Sequence, residues 1–403
     1  MRRFVAAAAL CALLLGSLSG CWLDQGRRDI EEGFDNKTDA AFYSLPADLP
    51  AGQPGEVIRS KRLLSAPAGA RAWRVIYHST DMNGKDIPVS TIVIVPDDAA
   101  PAGGRIIVSW AHPTTGSAQR CGPSVGTDPF LGIEGLDQLL LAGYAITATD
   151  YQGMSVAGPS SYLLGVTEGN NVLDAARAAR NLPGLTLSNK LLLWGHSQGG
   201  QAALFAAQQA RDYAPDLHLE GVAVAAPAAD LNTLLSDDIA GISGVTIASY
   251  AFASFEAAYA SRYPAATLDA ILTPAGAVAT PKMAALCLLA QHEEIHAIAD
   301  PLMGKYVTND PATTEPWATL LRENSAGASP IDAPVFVGQG LADVLVIPAA
   351  TRKYVAGLCA AGMAVTFAEY NGVSHALAGY VALPDAMAFF DKVSRGLTPS
   401  NCP

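Results

Sequence analysis

Apolar and polar positions change rhythm twice along the chain. Residues 72–80 and 88–95 read as short strands separated by Asp81-Met82-Asn83-Gly84-Lys85, and Asn-Gly between two such runs predicts a β-hairpin. Residues 104–111 are almost wholly apolar after Arg105, which predicts a strand buried on both faces and central to its sheet. From there the patterns alternate: helix at 132–141, strand at 144–149, helix at 168–181, strand at 190–194, helix at 198–213 and strand at 220–225. This alternation predicts an α/β fold with a mainly parallel sheet. The rhythm breaks near residue 230. The stretch 230–325 is rich in Ala, Leu and Pro and reads as helical, with helices expected at 251–259, 267–272 and 281–298. Strand 335–337, helix 349–361, strand 364–370 and helix 376–394 follow. The organisation expected is a core at 42–229 and 326–403, interrupted by a helical cap at 230–325.

Composition and charge add little to the fold but narrow the partners. Half of the 403 residues are apolar, enough for a large core, and the net charge of -12 argues against nucleic acid as a partner. Arg2 and Arg3 precede an apolar run at 4–15 that is too short to span a membrane. It ends in Leu18-Ser19-Gly20-Cys21, which resembles the bacterial lipobox. That resemblance implies a signal at 1–20, a lipid on Cys21 that anchors the chain to a membrane, and a polar tether at 21–41. Trp22, where Asp would signal inner-membrane retention, points to the outer membrane; ordinary secretion with cleavage near the Ser and Gly residues is the alternative. Of six cysteines, Cys11 lies in the signal and Cys21 at the lipid site. The remaining four, Cys121, Cys287, Cys359 and Cys402, suggest two disulfides in an oxidising compartment, with three connectivities open.

The chemistry centres on Trp194-Gly195-His196-Ser197-Gln198-Gly199-Gly200. An apolar strand enters a Gly-x-Ser-x-Gly turn and passes directly into a helix, the context of a nucleophile elbow. Serine needs a base held by an acid, and in hydrolases with this elbow the chain order is Ser, Asp or Glu, then His. Of His218, His292, His296 and His375, only His375 falls in a loop between the last strand and the last helix. Asp343, after the strand at 335–337, is the matching acid. One oxyanion donor should be the Gln198 amide; the other comes from the loop at 112–116. Pro113 has no N–H, which leaves Thr114 or Thr115. A rival signal is His292-Glu293-Glu294-Ile295-His296, whose spacing puts two imidazoles on one helix face with Glu293 poised as base. This would be a zinc hydrolase site, with Glu315 or Glu323 as third ligand. A hydrolase fold retained only for binding is a third reading. The serine reading calls for no cofactor and no metal.

The ordered set of motifs from about 42 to 402 resembles the secretory lipase family of fungal lipase A-type enzymes and their bacterial relatives. It includes Gly55-Glu56-Val57-Ile58-Arg59-Ser60, Ser109-Trp110-Ala111-His112, Cys121-Gly122-Pro123-Ser124, Asp150-Tyr151-Gln152-Gly153, the run at 172–178 and the elbow itself. The resemblance implies an α/β-hydrolase core with an inserted helical cap, and hydrolysis of small-molecule or lipid carboxylic esters. Residue by residue it implies Ser197 as nucleophile, Asp343 as acid, His375 as base and Thr115 as the second oxyanion donor. It also implies the pairings Cys121–Cys287 and Cys359–Cys402. Two departures stand out: Thr115 replaces an Asp of the lipase A pattern, and Gln198 replaces its small Gly. Asp150 and Gly153 are expected to be structural, and the acyl pocket to lie under the cap near Phe252 and Phe255.

Overall fold

The structure is a computed structural model that describes residues 39–126 and 128–403. The expected signal, Cys21 and the tether as far as residue 38 lie outside the described residues. A short helix, α1 (Asp39–Tyr43), precedes strands β1 (Val57–Leu63), β2 (Ala70–Thr80), β3 (Asp86–Pro96) and β4 (Arg105–Ala111). Helices and strands then alternate as α2 (Leu136–Leu141), β5 (Ala145–Thr149), α3 (Gly165–Arg180), β6 (Leu187–His196), α4 (Gln198–Tyr213) and β7 (His218–Ala225). Five helices follow without a strand: α5 (Leu231–Asp238), α6 (Ile242–Tyr259), α7 (Pro274–Ala284), α8 (His292–Ala299) and α9 (Trp317–Glu323). The chain closes with β8 (Val335–Gly340), α10 (Pro348–Ala360), β9 (Val365–Tyr370) and α11 (Ala378–Ser394).

The nine strands form one sheet in the order β1-β2-β3-β5-β4-β6-β7-β8-β9. The pairs β1–β2, β2–β3 and β3–β5 are antiparallel, and every pair from β5 to β9 is parallel. The apolar strand β4 sits fifth of nine, with covered faces on both sides. The period of two along each strand divides the core. Val108, Trp110, Leu192, Trp194, Ala223 and Ala225 point to the face packed by α2, α11 and the inserted helices. Ile107, Ala111, Leu191, Leu193, Val222 and Val224 point to the face packed by α3, α4 and α10. The fold is therefore a mainly parallel α/β sheet whose five inserted helices share one continuous core with one of its faces.

Two local expectations change, and one strand was not expected. The helix expected at 281–298 is two helices, because residues 285–291 turn aside to pair Gly116 with Cys287. The stretch 267–272 is only a 3-10 turn at Leu268–Ala270, and Leu272 pairs with Val307 instead. β1 is a strand that the apolar pattern does not reveal: Arg59, Lys61 and Arg62 interrupt it, as charged residues commonly do on an exposed edge.

Both disulfides implied by the family resemblance are present, with Cα–Cα distances of 5.3 Å for Cys121–Cys287 and 5.6 Å for Cys359–Cys402. The first spans 166 residues, for which chain entropy gives a stabilisation of roughly 5 kcal/mol. Its position matters as much as its magnitude. Leu288 N–H donates to the Thr115 carbonyl at 2.8 Å and Ser117 Oγ to the Ala284 carbonyl at 3.0 Å. The segment after α7 is thus sewn to the loop that leaves β4.

Candidate active site

β6 delivers Ser197 into a turn with φ 56° and ψ -118°, a conformation a serine rarely adopts and one that costs of order 1–3 kcal/mol. The neighbours hold it there. A Cβ on Gly195 would stand 2.2 Å from the Gly199 carbonyl oxygen, and one on Gly199 would stand 1.9 Å from that of Ala111. The start of α4 therefore lies directly against the end of β4. Ser197 N–H donates to the Ala225 carbonyl at 3.0 Å, and its own carbonyl accepts from Ala228 at 3.0 Å and Gln201 at 3.1 Å. Both strands that flank β6 thus help to fix the turn.

The structure brings Ser197, His375 and Asp343 together. His375 Nε2 lies 2.8 Å from Ser197 Oγ, and His375 Nδ1 lies 2.8 Å from Asp343 Oδ2. With the Nδ1 proton donated to the carboxylate, Nε2 turns its lone pair to the hydroxyl. Asp343 is itself held: Oδ1 accepts from the Leu345 and Val346 amides at 2.9 Å each, and Oδ2 accepts from Gln339 Nε2 at 3.3 Å. Its side chain has no exposed surface, against 17% for His375. The carboxylate is a fixed anchor, while the imidazole keeps an edge exposed.

Gln198 is the first residue of α4, so its N–H has no acceptor within the helix and the helix dipole adds positive potential there. Thr115 lies in the loop that leaves β4. Its hydroxyl donates to the Cys121 carbonyl at 2.9 Å, so the side chain braces the loop. The hydroxyl of Thr114 pairs with that of Tyr162 at 2.7 Å. His112, buried, packs at a tilt of 34° against Tyr151 with ring centroids 4.5 Å apart, and burial lowers its pKa. Asp150 accepts from Ser124 N–H at 2.8 Å and from Ser155 Oγ at 2.7 Å, the structural role expected of it.

The model of the secretory lipase family matches residues 131–400, more than half of the chain. The chain belongs to the secretory lipase family. Lipase A of Moesziomyces aphidis is 25% identical over 92% of this chain and 83% of its own length. A secreted triacylglycerol lipase of Malassezia globosa is 26% identical over 87% and 77%. A Mycobacterium tuberculosis protein named a probable inactive lipase is 31% identical over 48% of the chain; the chain spans about half of that relative's length, 46%. Among solved structures, Candida antarctica lipase A in its closed state superposes with a TM-score of 0.74 at 20% identity, covering 91% of this chain and 88% of that one. The rice cell wall degrading esterase LipA from Xanthomonas oryzae gives 0.68 at 18% identity, covering 85% and 96%. These likenesses make the chain a lipase-type α/β-hydrolase by descent and fold.

In this member of the family a cavity of about 70 Å³ opens beside Gln198, walled by Leu231, Leu235, Ile247, Phe252 and Val346, with Asp238 on its wall. Phe252 lines it as expected; Phe255 does not, and packs instead edge-on against Tyr259. The His-Glu-x-x-His residues lie on α8, with His292 and Glu293 exposed and the two imidazole centroids 6.0 Å apart. The suggested third ligands are engaged elsewhere, Glu315 by Arg322 at 3.0 Å and Glu323 by Arg262 at 2.7 Å. Among the described residues no group of three or more His, Cys, Asp or Glu is placed to hold a metal ion.

Several residues around the elbow escape sequence reasoning. Glu134 bonds His196 Nδ1 at 2.9 Å, and the His196 ring lies 5.0 Å from that of His375. Glu168 bonds the side chain of Gln198 at 2.7 Å. Asp238 carries a carboxyl pushed up to about 7, first by burial and then by Asp237 and Asp343. It is therefore neutral below that pH and puts a negative charge on an apolar wall above it, which weakens binding of an apolar chain. The KM for p-nitrophenyl butyrate is expected to rise between about pH 6 and pH 8 in the wild type and to stay level in Asp238→Asn. A wild-type KM that does not rise, or an equal rise in the variant, would contradict this role.

Proposed function

We propose that this chain is a serine hydrolase that cleaves apolar carboxylic esters through an acyl-enzyme. The observation that carries the reading is the continuous relay from Ser197 Oγ through His375 to a buried Asp343, on a strained elbow at the start of α4. In this mechanism His375 Nε2 takes the Ser197 proton as Oγ attacks the ester carbonyl. Asp343 orients the ring and stabilises the imidazolium. The Gln198 and Thr115 amides receive the oxyanion; one such donor is worth about 3 kcal/mol. His375 then protonates the leaving alcohol, and water repeats the sequence on the acyl-enzyme to release the acid and restore Ser197. Membership of a lipase family, and a relative named for triacylglycerol hydrolysis, support lipid esters as the substrate class.

The cavity beside Gln198 favours short acyl groups. At about 70 Å³ it is smaller than the roughly 150 Å³ cavity that takes a benzene ring, and longer chains require the cap to shift. In a series of p-nitrophenyl esters, kcat/KM is expected to peak between the acetyl and butyryl esters and to fall toward the palmitoyl ester. Ser197→Ala should lose at least about a thousandfold at every length. Unchanged turnover in the variant would refute the serine mechanism; a peak at palmitoyl would refute the short pocket.

The same reading takes 1–20 as an export signal, Cys21 as a lipid-bearing terminus, 21–41 as a tether, and 230–325 as a cap between core segments 42–229 and 326–403. Relatives named as secreted, and the family description, support export. Expressed in a bacterium, the wild type should partition with outer membranes and Cys21→Ala with the soluble fraction. Equal partitioning of the two would exclude the lipid anchor.

A further inference from the structure

Gln198 has a large side chain where the lipase A pattern has Gly, and that side chain is not loose. Gln198 is 1% exposed and donates from Nε2 to Glu168 Oε1 at 2.7 Å; Glu168, in the first turn of α3, has no exposed surface at all. The second bond to the carboxyl comes from Leu163 N–H at 3.2 Å, so both of these donors are neutral. Two buried acceptors of the pair, Glu168 Oε2 and Gln198 Oε1, lack partners, and so does Oε1 of neighbouring Gln201. A carboxylate can only accept and would leave both acceptors of the pair unpaired. A carboxylic acid has one O–H to give.

We propose that Glu168 is held as the neutral acid and forms with Gln198 a carboxyl–carboxamide pair that positions the Gln198 backbone amide for the oxyanion. The Glu168 O–H donates to Gln198 Oε1 while Gln198 Nε2–H donates to Glu168 Oε1, so two bonds fix the side chain and through it the first residue of α4. Burial pushes the carboxyl well above the usual carboxylate range, and the bonds from Gln198 and Leu163 only moderate the shift. The titratable groups whose charge couples to it, Tyr151 and Tyr162, are buried phenols that burial also keeps neutral. The network reaches the cap: Gln201 Nε2 donates to the Asn324 carbonyl at 2.7 Å, and Asn324 Nδ2 donates to Tyr259 Oη at 2.8 Å. Glu168 is a positioning residue that touches no reacting atom.

This inference rests on the serine reading. Wild-type turnover that disappears in Ser197→Ala is the reference for every ratio below, so failure of that reading appears in the wild type alone. Glu168→Gln reproduces both hydrogen bonds of a neutral acid and should keep kcat for p-nitrophenyl butyrate within about threefold. Glu168→Leu and Gln198→Leu, each checked for folding by thermal melting, should lower kcat about tenfold with KM little changed, since a misplaced donor acts on the transition state. Inhibition by an alkyl trifluoromethyl ketone, whose hemiketal oxyanion needs the same donors, should weaken by the same factor. The double Leu variant should fall no further than either single one. The proposal is overturned if Glu168→Gln is as impaired as Glu168→Leu, if the folded Leu variants keep wild-type kcat, or if the loss lies in KM with ketone inhibition intact.

Discussion

The contact on which the rest depends is the close approach of Gly199 to the Ala111 carbonyl. It brings the first turn of α4 against the end of the central strand and leaves no room for a Cβ. With that contact go the positive φ of Ser197 at the carboxyl edge of the sheet and the closeness of the start of the 112–116 loop to α4. Ligand sites in such sheets form at the carboxyl ends of the strands, where loops converge. Here β4, β6, β8 and β9 each send one loop there, carrying Thr115, Ser197, Asp343 and His375.

The loop bearing Thr115 is held by the inserted helical segment as well as by the sheet. Disulfide Cys121–Cys287, the Gly116 to Cys287 pairing and the Leu288 amide bond all join it to the segment between α7 and α8. On the other side of the elbow, Gln201 and Asn324 link α4 to the end of α9. The inserted helices are therefore bonded both to the loop that bears Thr115 and to α4, and the cavity beside them adjoins Gln198.

Much of this was legible in the sequence because local signals and global fold agree. The elbow helix reads correctly as 198–213 because a strand, a glycine turn and a helix-forming run abut without a gap. The central strand reads from an apolar run that only a doubly covered position tolerates. The sites of His375 and Asp343 follow from their places after strands. What was hidden has physical reasons. The break between α7 and α8 is imposed by a disulfide and a β-bridge to a loop 171 residues earlier, as the Gly116–Cys287 pairing requires (287 − 116). An Ala- and Leu-rich stretch does not betray such a break. Glu168 and Glu134 look like solvated helix or loop acids, since nothing local tells that tertiary packing will bury them beside the elbow.

The central claim is that Ser197 is the nucleophile. Its most direct test is covalent: the full chain is treated with a p-nitrophenyl alkylphosphonate, and the adduct is mapped by peptide mass spectrometry while residual ester turnover is followed. One phosphonyl group per chain is expected, on Ser197, with turnover lost in proportion to labelling. Labelling elsewhere with turnover lost, or full labelling of Ser197 with turnover intact, would contradict it.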